Sequence, residues 1–157
     1  MARTITPFLW FDDKAEEAAT FYVSVFRNSK INTVVGYSDA GPGPKGSVMT
    51  VDFDLDGQQF TALNGGPHFT FSPAISFVVH CRTQAEVDYY WEKLSAGGQI
   101  QQCGWLTDKY GVSWQVVPEI LPRLITDSDR AKADRALAAM MKMTKIIIAD
   151  IEKAAEG

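Results

Sequence analysis

The chain has 157 residues, 46% hydrophobic and 22% charged, with a net charge of −4. About 150 residues is the usual size of one domain, and a chain of this length buries roughly two-thirds of its unfolded surface without disulfides or metal staples. The acidic balance and the absence of a Lys/Arg stripe exclude nucleic acid as the main partner, and Ile146-Ile147-Ile148 is far too short to cross a membrane. Cys81 and Cys103 match no metal-ligand spacing and read as free thiols. Met1 to Thr4 runs straight into strand-like sequence with no signal-peptide pattern, so the expected location is cytoplasmic.

In chain order, Ile5 to Phe11 is apolar and aromatic and predicts a strand. Asp13, with Glu16 three residues on, has the spacing of a capping box. The apolar positions Ala18, Phe21, Tyr22, Val25 and Phe26 then trace one face of a helix that Asn28 can end. Lys30 to Tyr37 predicts a second strand, and the Gly/Pro-rich Ser38 to Gly46 a loop. Val48 to Leu55 alternates, with Met49, Val51, Phe53 and Leu55 against Thr50, Asp52 and Asp54. Asp56-Gly57 turns it into a returning strand, Gln58 to Leu63. The order then repeats: a strand over Pro73 to His80, and a helix opened by the capping box Thr83–Glu86 with the stripe Val87, Tyr90, Trp91, Leu94. Short strands follow over Gln99 to Cys103, Trp105 to Thr107 and Val112 to Val117, the last two joined by an Asp108–Gly111 turn.

Laid on one another, the halves align Phe21-Tyr22 and Val25 with Tyr90-Trp91 and Leu94. The predicted fold is therefore α+β: two βαβββ modules plus a C-terminal helical tail. The modules cover about 4–64 and 73–118, with a linker over 65–72 and a helical extension of the same domain over 119–157. In that tail, Ser128 to Met143 and Lys145 to Ala155 read as helices. Their apolar stripes, Leu137, Met140, Met141 and Ile148, are expected to pack on a sheet edge or on a second subunit.

Four stretches carry a family resemblance: ITPFLWFDD…EEAATFY, ALNGGPHF, VDYYWEKLSAGG and CGWLTDKYGVSWQVVP. They resemble the PhnB-like branch, often labelled 3-demethylubiquinone-9 3-methyltransferase, of the vicinal oxygen chelate superfamily, which includes glyoxalase I, extradiol dioxygenases and bleomycin-resistance proteins. The resemblance implies that the paired modules form a curled mixed sheet around a cavity, often with a divalent metal, and that chains pair as homodimers. Metal ligands in that superfamily would fall approximately at Thr6, Ala62, Ala74 and Gln115. These offer a hydroxyl, two side chains with no donor and a neutral amide, whereas a divalent ion needs carboxylates or imidazoles. No metal and no cofactor is therefore expected. No glycine-rich loop joins a strand to a helix, which also argues against S-adenosylmethionine.

Strand parity, with Thr6 and Ala62 from the positions that the resemblance implies and Trp105 as an aromatic lining, gives a ligand-binding set: Thr6, Phe8, Trp10, Thr50, Ala62, Ser76, Trp105, Ser113 and Gln115. Gln115 could orient a ligand carbonyl or hydroxyl, or serve as a structural amide between strands. The aromatics could line a pocket or pack a core. Asp52 and His68 are the weak candidates for acid–base catalysis, each with a solvated surface role as its alternative. The expectation is a metal-free protein that binds an apolar or aromatic small molecule in the cavity. The alternatives are an enzyme using side-chain acid–base chemistry in the same place, or an interaction module assembled through its tail.

Overall fold

The computed structural model describes residues 4–157; residues 1–3, on which the signal-peptide expectation partly rests, lie outside them. The chain divides into two units, one ending at Phe71 and one running from Ser72 to Gly157.

In the first unit the predicted Ile5–Phe11 strand shortens to β1 (Phe8–Phe11), followed by α1 (Ala15–Val25), β2 (Lys30–Gly36), β3 (Val48–Leu55) and β4 (Gln58–Asn64). The sheet order is β1-β4-β3-β2, with β1 parallel to β4 and the other pairs antiparallel. Asp56 and Gly57 both take positive φ, 47° and 77°, which is the geometry a two-residue hairpin loop between twisted strands requires. The expected stop at Asn28 is not where α1 ends: the helix stops at Val25 with Phe26 extended, and Asn28 takes its positive φ of 51° three residues beyond.

The expected Asp13 cap does not form. No side chain near the start of α1 caps it locally, and the Ala15 N–H instead donates to Asn64 Oδ1 at 2.8 Å. Asn64 ends β4 beside Phe11 in the parallel register, so its amide is already held where the helix begins. Its Nδ2 also donates to the Val48 carbonyl at 3.1 Å. Buried Tyr22 of α1 stacks on Phe53, which stacks on Phe60, with ring centroids 6.4 and 5.5 Å apart. Full burial of a large apolar side chain stabilises by about 2–3 kcal/mol, so this stack fixes the helix on the Val51–Phe53 side of the sheet.

The second unit repeats the order with β5 (Ser76–Cys81), α2 (Gln84–Ser95), β6 (Gln99–Ile100), β7 (Trp105–Thr107) and β8 (Ser113–Pro118). Its sheet order, β5-β8-β7-β6, matches that of the first. Thr83 caps α2 by accepting from the Glu86 N–H, and Glu86 Oε2 reaches back to the Arg82 N–H, so the capping box closes one residue further out than its ideal form. Val87, Tyr90, Trp91 and Leu94 are buried as the stripe predicts. Ile75 is left before the strand and exposed. The predicted Gln99–Cys103 strand ends at Ile100, because Cys103 and Gly104 both turn to positive φ.

The tail forms α3 (Ile120–Ile125), α4 (Arg130–Met140) and α5 (Ile148–Glu156). Pro122 is tolerated in α3 because it lies in the first turn, where no helical donor is needed. The buried tail core is Leu121, Ala136, Ile146, Ile151 and Ala155. Leu137 and Met141 of the predicted stripe are exposed instead, because the small Ala133 and Ala136 face lets α4 lie close to α5. The tail is tied to the second sheet by backbone bonds from the Cys103 and Gly104 N–H groups to the Met143 and Thr144 carbonyls. Gln84 of α2 donates to the Ile146 carbonyl and accepts from the Ile148 N–H.

Candidate functional site: the face of the second sheet away from α2

Phe77 packs on buried Trp114, which pairs with buried Leu106; these residues face α2. Alternation therefore puts Ser76, Val78, Trp105, Thr107, Ser113 and Gln115 on the opposite face. Register arranges them in rows. Ser76, Ser113 and Thr107 lie side by side across β5, β8 and β7, and Val78, Gln115 and Trp105 form the next row. Gln115 Nε2 donates to Ser76 Oγ at 2.9 Å, and Gln101 Nε2 donates to Thr107 Oγ1 at 3.0 Å. The structural role weighed for Gln115 is thus real, but its carbonyl oxygen stays available as an acceptor. Trp105 is half-buried, Val78 is exposed, and Val117, the next residue of β8 on this face, packs against the tail core.

Asp108 positions this face, and its role was not apparent from the turn motif alone. It is 3% exposed and accepts from the Tyr110 and Val112 N–H groups and from Trp114 Nε1, at 2.8, 3.0 and 2.8 Å. The three bonds lock the β7–β8 turn and so set where Ser113 and Gln115 fall. The available signal was an Asp at the first position of a turn closed by Gly111, a place where Asp side chains bond local N–H groups.

In the first sheet, the helix-free face carries Phe8, Trp10, Thr50, Asp52 and Thr61, by the same alternation. Ala62 does not belong to it. It is fully buried opposite Val51 and Leu9, on the α1 side, and Thr61 holds the neighbouring open-face position. A one-residue error in strand register moves a side chain to the other face. Thr6 is half-buried just before β1, Thr50 is half-buried, and Phe8 is exposed. Trp10 is held by packing: its Nε1 donates to the Gly66 carbonyl at 2.9 Å, and its ring meets Phe69 edge-on at 4.9 Å. Asp52 accepts from Thr61 Oγ1 at 2.7 Å.

His68 lies elsewhere, lining a cleft of about 650 Å³ at the start of α1 with Asp12, Asp13, Lys14, Glu16 and Glu17. Asp52 does not line it, so the two acid–base candidates do not share this site. Acidic side chains at a helix N-terminus are favourable in themselves, which accounts for the carboxylates there without a ligand.

The divalent metal that the fold family implies does not fit these residues. At or beside the equivalent positions stand Thr6, Thr61 or Ala62, Ala74 or Ile75, and Gln115, none of them a carboxylate or imidazole. Among the described residues, no group of three or more His, Cys, Asp or Glu is placed to hold a metal ion. No helix there is long and apolar enough to cross a membrane.

Residues 3–117 match the family described as 3-demethylubiquinone-9 3-methyltransferase. A PhnB protein from Bacillus cereus is 41% identical, with a TM-score of 0.68, and the alignment covers 74% of this chain and 99% of that one. Protein PA1353 from Pseudomonas aeruginosa shares the fold at 22% identity, with a TM-score of 0.63 over 75% and 98% of the two chains. The fosfomycin resistance protein FosX from Listeria monocytogenes shares it at 15% identity, with a TM-score of 0.54 over 78% and 96%. No curated protein matches. The match runs from the first strand to the last and stops where the helical tail begins; the chain belongs to the 3-demethylubiquinone-9 3-methyltransferase family.

Proposed function

We propose that the protein binds a small apolar or aromatic molecule, oriented by Gln115 and its neighbours, without a divalent metal. The observation that carries this reading is the row on the face of the second sheet away from α2, where Trp105 lies next to Gln115 in register, beside the Ser76–Gln115 hydrogen bond. A flat apolar side chain next to a few fixed polar groups is the usual composition of a small-molecule site. The neutral donor set at the metal-equivalent positions supports binding without an ion.

Acid–base catalysis has less support, because the Asp52 carboxylate is engaged by Thr61 and His68 lines a different region. Methyl transfer, which the family description names, also lacks support from this chain's own residues. The two strand-to-helix turns, Asp12-Asp13-Lys14 and Arg82-Thr83, contain no glycine, and both sheets are mixed.

Thermal denaturation against a panel of neutral aromatic compounds tests the binding reading. At least one should raise the melting temperature in proportion to the logarithm of its concentration, and Gln115→Ala should reduce the rise. A panel without effect would count against it. Pairing with a second copy is part of the proposal, supported by the exposed Leu137 and Met141; sedimentation at the 17.3 kDa of a single chain would remove it.

A further inference from the structure

We propose that Cys103 and Met141 form a binding site for a soft monovalent metal ion of the Cu(I) class, where the tail meets the second sheet. The two residues are 38 positions apart in sequence, yet the Cys103 thiol donates to the Met141 thioether with the sulfurs 3.7 Å apart. Met140 and Met143 pack on the tail core, whereas Met141 stays 58% exposed. The core does not use the Met141 sulfur, which instead meets a half-buried thiol. Backbone bonds hold the two segments together: the Cys103 and Gly104 N–H groups donate to the Met143 and Thr144 carbonyls, both at 2.8 Å. Cys103 keeps a φ of 61° there, a region that residues with a side chain rarely enter.

The donor chemistry selects the ion. Thiolate and thioether are soft ligands that favour Cu(I), whereas magnesium and calcium prefer carboxylates and carbonyls. With metal–sulfur bonds of about 2.3 Å, sulfurs at the observed separation subtend about 107° at a shared ion, close to the tetrahedral angle, so both can ligate it where they stand. Binding releases the thiol proton to solvent, and the thiolate then neutralises a monovalent ion. Zinc needs further His, Cys or carboxylate ligands, and among the described residues no group of three or more His, Cys, Asp or Glu is placed to hold an ion. Cys81 is fully buried and cannot substitute for Cys103. None of the fold's metal-equivalent positions takes part. A two-sulfur site exchanges its ion with chelators and small thiols, so it fills when Cu(I) is supplied and stays empty in protein purified without it.

The full-length, reduced protein is mixed without oxygen with the coloured Cu(I) complex of bicinchoninate. Loss of colour reports the copper withdrawn, and native mass spectrometry reports the stoichiometry. The wild type should take up a single copper per chain, as should Cys81→Ala, while Cys103→Ser should take up none. Met141→Leu removes the sulfur from a side chain of similar size and should weaken binding about tenfold or more, the scale on which metal sites respond to the loss of a supporting group. Zn(II) at the same concentration should not bind stoichiometrically. Failure of the wild type to withdraw copper would overturn the proposal, as would uptake retained in Cys103→Ser or lost in Cys81→Ala. An affinity unchanged in Met141→Leu would also overturn it, because the copper would then sit on a bare thiol. Zinc held as tightly as copper would contradict the choice of ion and sink the proposal as well.

Discussion

Removing the carboxylate of Asp108 would strand three donors at once, the Tyr110 and Val112 N–H groups and Trp114 Nε1. Hydrogen bonds to a charged acceptor are each worth about 1.5–3 kcal/mol, and two of these are buried. Asp108→Ala should therefore cost about 3 kcal/mol or more in urea denaturation, and Asp108→Asn less. A loss under 1 kcal/mol would show that the turn holds itself. Cys81 gives a pH-dependent counterpart. It is fully buried, and burial first, then Glu86 and Glu119, push its thiol from 9.0 up to about 12. The folded state thus resists forming the thiolate that the unfolded chain forms freely. Stability is undiminished below pH 9 and should fall by about 1.4 kcal/mol per pH unit between 9 and 12, a slope that Cys81→Ala removes. At pH 8, a thiol reagent should label half-buried Cys103 and spare Cys81. At this scale the sequence was uneven evidence. Asp56-Gly57 and Gly111 announced their turns because few residues accept positive φ. Asn64 gave no sign that it would cap a helix starting at Ala15, 49 positions earlier, because that contact exists only once β4 lies beside β1.

Among the elements, the tail and α2 hold each other. Gln84 bridges Ile146 and Ile148, and Lys145 pairs with Asp88 at 2.8 Å. Gln84→Ala should cost about 1–3 kcal/mol for three lost bonds, the third to Asp88, with the denaturant midpoint lowered and the slope unchanged. A changed slope would mean that the tail unfolds separately. The bonds from Lys145, then Gln84, hold the Asp88 carboxyl below its ordinary value. That link is present above the usual carboxylate range and is lost as pH falls through the lowered value, so Asp88→Asn should make the tail less sensitive to acid. Helix stripes were legible in the sequence where one helix meets one sheet, as for Val87, Tyr90, Trp91 and Leu94. They misled in the tail. Periodicity marks an apolar face without saying which neighbour it meets, and close packing against α5 favoured Ala133 and Ala136 over Leu137 and Met141.

Across the whole chain, the doubled βαβββ order was readable from alternation, turn residues and a capping box, and the structure repeats it with the same strand order in each unit. The site was readable only in part. Parity brought Ser76, Trp105, Ser113 and Gln115 to one face, yet one residue of register placed Ala62 on the wrong one. Whether Ser113 would find a partner depends on atoms from three strands and is not encoded in any local motif. The central claim is the proposed metal-free binding of a small apolar or aromatic molecule. Native mass spectrometry of freshly purified protein tests it most directly. The account predicts an organic adduct on the chain and no bound metal, with the adduct reduced in Gln115→Ala. One divalent ion per chain, retained through desalting and lost in Gln115→Ala, would contradict it.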